Sequence, residues 1–265
     1  MLLSNYKTRG KKPMKYIESK KNDEIKQIAK LSSTKYIKKT GTYLIEGFHL
    51  VREADANDQK ILKILVTENH EDDRLVKKYY DNAIGISDDV AQSLSETKTP
   101  QGIFAVIEVQ KKEELTDLSG QWVMLSDVQD PGNVGTIIRT ADAAGYDGVI
   151  TSLDSADFYQ PKVQRSMQGS QFHLPIYRMD LHKAIDLAKE SGLIVYGSEV
   201  NDQAESYTEL EKTSDFAVIM GNEAHGLTED VLEKTDKNIY IPILGKAESL
   251  NVAVAAGILL YGLKI

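Results

Sequence analysis

Three short stretches of this chain hold residue types at spacings that could do chemistry. The first, Asp127-Val-Gln-Asp-Pro-Gly-Asn-Val-Gly-Thr-Ile-Ile-Arg139, sets Asn133 and Arg139 about a helix start, directly after the apolar run Trp122 to Leu125. Asn133 is expected to be the N-cap, its side-chain oxygen accepting from free N–H groups of the first turn. Val134, Ile137, Ile138 and Ala141 then recur at helical spacing, and Gly145 supplies a stop. At about 100° per residue, Arg139 falls opposite that apolar stripe, so the helix packs by one face and presents an arginine from the other. The second stretch, Gly221-Asn-Glu-Ala-His-Gly226, follows the buried-strand pattern Phe216 to Met220. A glycine-bracketed loop at the carboxyl end of a strand is where open α/β sheets take ligands. Its glycines allow close backbone approach, and Glu223 adds a fixed negative charge. The third runs from Ile239-Tyr-Ile-Pro-Ile-Leu-Gly245 through Glu248-Ser-Leu-Asn251 into the apolar run Val252 to Leu263. Ser249 is expected to cap a helix that is apolar on nearly every face and hence buried in protein. That run is too short to span a membrane, which takes about 20 residues.

Several common chemistries do not fit these residues. A dinucleotide site would want G-x-G-x-x-G after the first strand, and the corresponding turn here is Asp-Pro-Gly-Asn-Val-Gly. No P-loop pattern is present. His49, His70, His173, His182 and His225 are scattered without ligand spacing, so no metal is expected. Acyl transfer by Ser249 would need a base and a nucleophile elbow, and neither is offered.

The elements that must position the three stretches alternate along the chain. After a basic arm, residues 1–22, a helix is expected over Asp23 to Leu31. Strands are expected at Tyr43–Glu46, Leu62–Val66, Ala83–Ile86 and Ile103–Val109, with helices Phe48–Ala54, Arg74–Tyr80 and Val90–Ser95 between them. This is a small α/β domain over residues 23–110. The charged residues 111–119 read as a linker. Over residues 120–265, strands Trp122–Leu125, Gly148–Thr151, Leu193–Tyr196, Phe216–Met220 and Ile239–Ile243 alternate with helices Val134–Ala144, Pro161–Gln168, Leu181–Glu190, Thr228–Lys234 and Leu250–Leu263. The pattern implies a mostly parallel sheet with helices on both faces.

Charge is distributed unevenly. The whole chain of 265 residues carries −8, yet residues 1–45 hold twelve Lys or Arg against Glu18, Asp23 and Glu24, a net of +9 that leaves −17 elsewhere. A basic arm on an acidic body suits phosphate contacts, and a solvated tail is the plainer reading of the same residues. Cysteine is absent, which excludes disulfides, a thiol nucleophile and thiolate metal sites and suits a reducing compartment. The first residues are basic and polar with no apolar core behind them, so no secretory signal is expected and the protein is placed in the cytoplasm. Met14 looks like the usual start of this protein type, which would make residues 1–13 an upstream extension.

Taken in order, the three stretches resemble the SpoU (TrmH-like) family of RNA ribose 2′-O-methyltransferases, over roughly the last 145 residues. The N-terminal part resembles the family's substrate-binding domain through Leu44-Ile-Glu-Gly-Phe-His-Leu-Val-Arg-Glu53 and Thr99-Pro-Gln-Gly-Ile-Phe-Ala-Val106. The usual topological rules would give an unknotted, doubly wound sheet. The resemblance implies instead a C-terminal trefoil knot whose second and third motifs form a pocket for S-adenosylmethionine. It also implies a homodimer packed through the C-terminal domain, with RNA as substrate, ribosomal RNA before tRNA.

By the same resemblance Arg139 is the catalytic residue, with Asn133, Ser249 and Asn251 orienting ribose and phosphate. Guanidinium stays protonated, with a pKa above about 12, so an electrostatic role suits Arg139 better than that of a base. Glu223 would contact the ribose or methionine part of the cofactor, or brace the loop. Gly221, Ile241, Ile243 and Leu250 match cofactor-binding positions, and Ser198 joins them as a candidate or a plain turn residue. Lys162 and Arg165, on a helix opened by Pro161, face RNA or solvent. The expected activity is methyl transfer to an RNA ribose 2′-hydroxyl, with a non-catalytic RNA-binding protein on the same scaffold as the alternative.

Overall fold

The computed structural model describes residues 13–201 and 203–264. The first domain comprises β1 (Lys15–Ile17), α1 (Asp23–Ala29), α2 (Thr34–Thr40), β2 (Thr42–Glu46), α3 (Phe48–Ala56), β3 (Ile61–Thr67), α4 (Arg74–Lys78), β4 (Ala83–Ile86), α5 (Asp88–Leu94) and β5 (Ile103–Glu108). Side chains alternate across its five-stranded sheet, of order β1-β4-β3-β5-β2. Ile64, Val66, Ala105 and Ile107 pack against Leu50, Val51 and Ala54 of α3, while Leu65, Phe104 and Val106 pack against Ile25, Ile28 and Val90 of α1 and α5. Both faces are covered, which is why these strands read as unbroken apolar runs.

The second domain comprises β6 (Gln121–Leu125), α6 (Pro131–Ala143), β7 (Gly148–Thr151), α7 (Pro161–Met167), β8 (Ile176–Arg178), α8 (Leu181–Glu190), β9 (Ile194–Ser198), β10 (Glu205–Ser206), β11 (Phe216–Met220), α9 (Glu229–Leu232), β12 (Lys237–Tyr240) and α10 (Val252–Gly262). Its seven strands lie in the order β10-β12-β9-β11-β6-β7-β8, and every pairing is parallel. Val123, Leu125, Val218 and Met220 face α6 and α10, while Trp122, Met124, Ala217 and Ile219 face α8 and α9. The expected α/β architecture, mostly parallel with helices on both faces, is therefore present.

Several elements depart from expectation. β1 pairs in parallel with β4, so Lys15–Ile17 belongs to the first sheet and not to an arm. Of the rest of the arm, residues 13–14 and 18–22 are described, while residues 1–12, which are the expected upstream extension except Pro13, lie outside the described residues. β8 and β10 were not expected, because both are short strands without an apolar run. β12 stops at Tyr240 and Ile241 to Asn251 form a loop, Pro242 having no N–H for a ladder. α10 is also not buried all round, since Val254 and Tyr261 are 53% and 59% exposed.

The domains meet where edge strand β2 approaches α7. The Tyr43 and Tyr159 rings lie 4.8 Å apart, Arg165 reaches Glu96 at 3.1 Å, and His173 bridges Asp142 (3.1 Å) and Glu53 (3.0 Å). Those two carboxylates, Asp142 before Glu53, hold the His173 pKa above its ordinary value against the opposing effect of burial. In the linker, Lys112 donates to the Ile176 carbonyl at 2.6 Å.

α6 lies close against α7 because Gly135 has no side chain. A Cβ there would sit 2.7 Å from the Val163 carbonyl oxygen and closer still to Ser166. Gly135→Ala should therefore lower the melting temperature. Overpacking costs roughly 1–3 kcal/mol, more than the ~1 kcal/mol alanine gains in helix propensity. An unchanged or higher melting temperature would show that the helices separate freely.

Candidate active site

The loops that leave the carboxyl ends of β6, β9, β11 and β12 converge. After β6 the N-cap is Asp130 and not Asn133: its carboxylate accepts from Gly132 N (2.7 Å) and Asn133 N (3.0 Å), with Pro131 opening the helix. Asp-Pro is itself an N-cap followed by a preorganised first residue, a signal that Asn133 overshadowed. The backbone N–H groups, that of Asn133 foremost, hold the Asp130 carboxyl below its usual range. Relieved of capping, the Asn133 amide donates to Glu223 Oε1 at 3.0 Å and accepts from Asn251 Nδ2 at 3.1 Å. Asn251, and not Ser249, caps α10, accepting from Ala253 N and Val254 N. One hydrogen-bond chain, Asn251–Asn133–Glu223, thus ties the first stretch to the second and third, 90 and 118 positions further along the chain.

Glu223 is held further by the N–H groups of Gln129 (3.3 Å) and Asp130 (3.2 Å). Burial pulls its pKa up, but these bonds, led by that from Asn133, outweigh it and hold the carboxyl below its ordinary value. A carboxylate with a lowered folded pKa stabilises above its unfolded value, and that stability is lost as pH falls through the folded one. Wild type should therefore melt higher than Glu223→Gln at neutral pH, and the difference should shrink on acidification below about 4.5. A difference independent of pH would show that ionised Glu223 is not what the loop depends on.

The glycine loop is closed by reciprocal bonds between Asn222 and Gly226, 3.0 Å each way. Asn222 also donates to the Asp127 carbonyl at 2.8 Å, and its side-chain oxygen accepts from Ala224 N and His225 N. Asp127 has a φ of 54° and is pinned there by Ser152, which accepts from its N–H and donates to its carboxylate. Glu199, at the end of β9, accepts from Leu227 N at 3.1 Å.

The loops after β9, β11 and β12, with the start of α10, line a cavity of about 540 Å³, within the usual range for small-molecule sites, and Asn133 stands beside it, not among its lining residues. Ser198, Gly221, Ile241, Ile243 and Leu250 all line it, as do Glu223, Ser249 and Asn251. Ser198 is the last residue of β9 and does not follow the strand. Sequence reasoning missed Glu199, Asn222 and Glu248, which also line it. Of these only Asn222 carries a local signal, its turn-forming side chain inside the glycine loop. Arg139 is exposed on α6, opposite the buried Val134, Ile137, Ile138 and Ala141, and is not among the lining residues. It stands six residues, about 9 Å, along the helix from Asn133. Among the described residues no cluster of acids and histidines could hold a metal, and no helix is long and apolar enough to cross a membrane.

Residues 120–261 match the SpoU rRNA methylase family, and residues 22–105 match the MRM3-like substrate-binding domain. The chain belongs to the SpoU family. It is 43% identical to the 23S rRNA (guanosine(2553)-2′-O)-methyltransferase RlmP of Bacillus subtilis over 95% of this chain and 100% of that protein. The crystal structure of an AdoMet-bound rRNA methyltransferase from Sinorhizobium meliloti superposes with a TM-score of 0.85 at 28% identity, covering 94% of this chain and 97% of that one. The SpoU methyltransferase AviRb from Streptomyces viridochromogenes, in complex with AdoMet, gives 0.78 at 25% identity over 91% and 96% of the two chains.

The cavity of this SpoU family member fits S-adenosylmethionine on its own chemistry. The apolar side chains of Ile241, Ile243 and Leu250 suit a flat purine, and the carboxylates of Glu199, Glu223 and Glu248 suit a ligand with two cationic centres. Gly221 lacks a side chain where the Gly226 backbone packs on it, 2.5 Å from where a Cβ would sit, which keeps the glycine loop closed at the cavity wall.

Proposed function

We propose that this protein methylates a ribose 2′-hydroxyl of 23S rRNA, with S-adenosylmethionine as methyl donor. The reading is carried by the Asn251–Asn133–Glu223 hydrogen-bond chain, which gathers the three motifs of a SpoU family member beside one cavity. The nucleotide equivalent to the guanosine in the name of the B. subtilis relative is the first candidate target. In this reading residues 23–110 bind RNA, 111–119 link the domains and 120–265 carry the transferase.

S-adenosylmethionine brings a methyl group already activated by its sulfonium. The protein's part is alignment of the reacting groups, which can supply roughly 7–11 kcal/mol. Ser198, Gly221, Ile241, Ile243 and Leu250 hold the cofactor, while Asn133, Ser249 and Asn251 orient the ribose and its phosphate. Glu223 fixes Asn133. The Arg139 guanidinium grips the adjacent phosphate with its planar fork and stabilises the alkoxide that develops as the 2′-proton leaves to phosphate or water.

We further infer a trefoil knot and a homodimer, acting in the cytoplasm. β11 lies between β9 and β6, the chain then crosses to β12 beyond β9, and α10 returns to pack on α6, an order that supports threading. The exposed Val254 and Tyr261 of α10 support a partner subunit on that helix, as does the placement of Arg139 outside its own chain's cavity lining. The test is transfer of labelled methyl from S-adenosylmethionine to unmodified 23S rRNA, followed by mapping of the ribose methylation. Binding without transfer would leave the non-catalytic alternative.

A further inference from the structure

Lysine pairing is uneven over this molecule. Among the described residues, Lys60, Lys63, Lys77, Lys78, Lys189, Lys234 and Lys237 each stand within ion-pair distance of a carboxylate. Lys98, Lys111, Lys183 and Lys246 do not, but they stand singly, whereas the segment from the end of β1 to α2 gathers six such lysines between Lys20 and Lys39. Its acids Asp23 and Glu24 are taken by Lys26 and by Lys15 with Lys63. Lys20, Lys21, Lys30, Lys35, Lys38 and Lys39 are left with no side-chain hydrogen bond or ion pair among the described residues.

Three of these lie on one helix face. Lys35, Lys38 and Lys39 are exposed and spaced i, i+3, i+4 on α2, whose Ile37 is buried as the anchor. Lys30 lies 5.2 Å from the centre of the half-buried Tyr36 ring beside them. Like charges at such spacing destabilise a helix. The helix dipole accounts for Lys38 and Lys39 in the last turn, but not for Lys35, Lys20 or Lys21. An unpaired basic face on a chain otherwise strongly acidic is the footprint of a polyanion. From α2 the chain turns at Gly41 (φ 65°) into β2, whose Tyr43 packs on Tyr159 of the catalytic domain. What α2 holds is therefore held in fixed relation to the site.

Resting on the RNA methyltransferase reading, we propose that the α2 face, Lys35, Lys38 and Lys39 with Lys20, Lys21 and Lys30 beside it, binds the phosphate backbone of the substrate RNA away from the methylated nucleotide. It contributes affinity and placement, not base readout.

The test is the triple variant Lys35→Gln, Lys38→Gln, Lys39→Gln, since glutamine keeps lysine's helix propensity. Binding of 23S rRNA fragments should weaken at least about tenfold, and the slope of log affinity against log salt should become shallower by roughly 2–3. KM for RNA should rise, while kcat at saturating RNA and S-adenosylmethionine affinity stay put and the melting temperature does not fall, since the like-charge repulsion on α2 is removed. Lys111→Gln with Lys183→Gln, two exposed lysines elsewhere without a carboxylate partner among the described residues, should change the slope by less than the triple variant does. An unchanged slope, or an equal change in the comparison variant, overturns the proposal. So does loss of binding to anionic vesicles or polyglutamate with RNA affinity intact. If wild type binds RNA with the steep slope but transfers no methyl, the enzymatic reading fails and the surface stands.

Discussion

Arg139→Ala should lower kcat by on the order of 10²–10³, the loss typical when one preorganised donor to a developing oxyanion is removed. S-adenosylmethionine affinity should stay within a few-fold, because Arg139 is not among the residues that line the cavity. Its exposure means that folding should be untouched. Arg139→Lys should also be poor, since a point charge cannot reproduce the bidentate fork. Single-turnover methyl transfer and calorimetric titration of S-adenosylmethionine separate the two effects. Near-normal turnover on RNA by the alanine variant would remove Arg139 from the mechanism. Mixed with a variant defective in the cofactor cavity, Arg139→Ala should regain part of its activity if the site is built across two subunits.

The second large effect is expected at Gly221. A Cβ there would lie 2.5 Å from the carbonyl carbon of Gly226 and 2.7 Å from its oxygen, and backbone cannot turn aside as a side chain can. Gly221→Ala must open the Asn222–Gly226 bridge and loosen Asn222 from the Asp127 carbonyl. Overpacking of this kind costs roughly 1–3 kcal/mol. If that falls on the bound loop, S-adenosylmethionine should bind about ten- to hundredfold more weakly. Gly245→Ala, whose added methyl meets open space, should leave the melting temperature unchanged. Gly221→Ala with wild-type cofactor affinity would mean that the loop is not part of the cofactor site. A bulkier residue such as tryptophan would test folding more than binding.

Local pattern in the chain determined the alternating elements, the apolar strands buried on both faces, the outward aspect of Arg139 and the cavity-lining loops after β11 and β12. Each rests on periodicity or on a turn residue, quantities read within about ten residues. Resemblance to a known family supplied the family and its methyl-transfer activity, and the match over residues 120–261 bears out the family. Tertiary structure alone decided how these pieces meet. Asn133 and Ser249 look like caps because their residue types suit the first turn of a helix. Asp130 and Asn251 take those places because the helices begin elsewhere, at Pro131 and Val252. That shift frees the Asn133 amide to join Glu223, 90 positions later, to Asn251. No periodicity encodes such a bond, because it depends on the order of strands in the sheet. Parallel neighbours bring distant loops to one edge, and tertiary packing gives Lys60, Lys63 and Lys78 carboxylate partners while Lys35, Lys38 and Lys39 have none among the described residues.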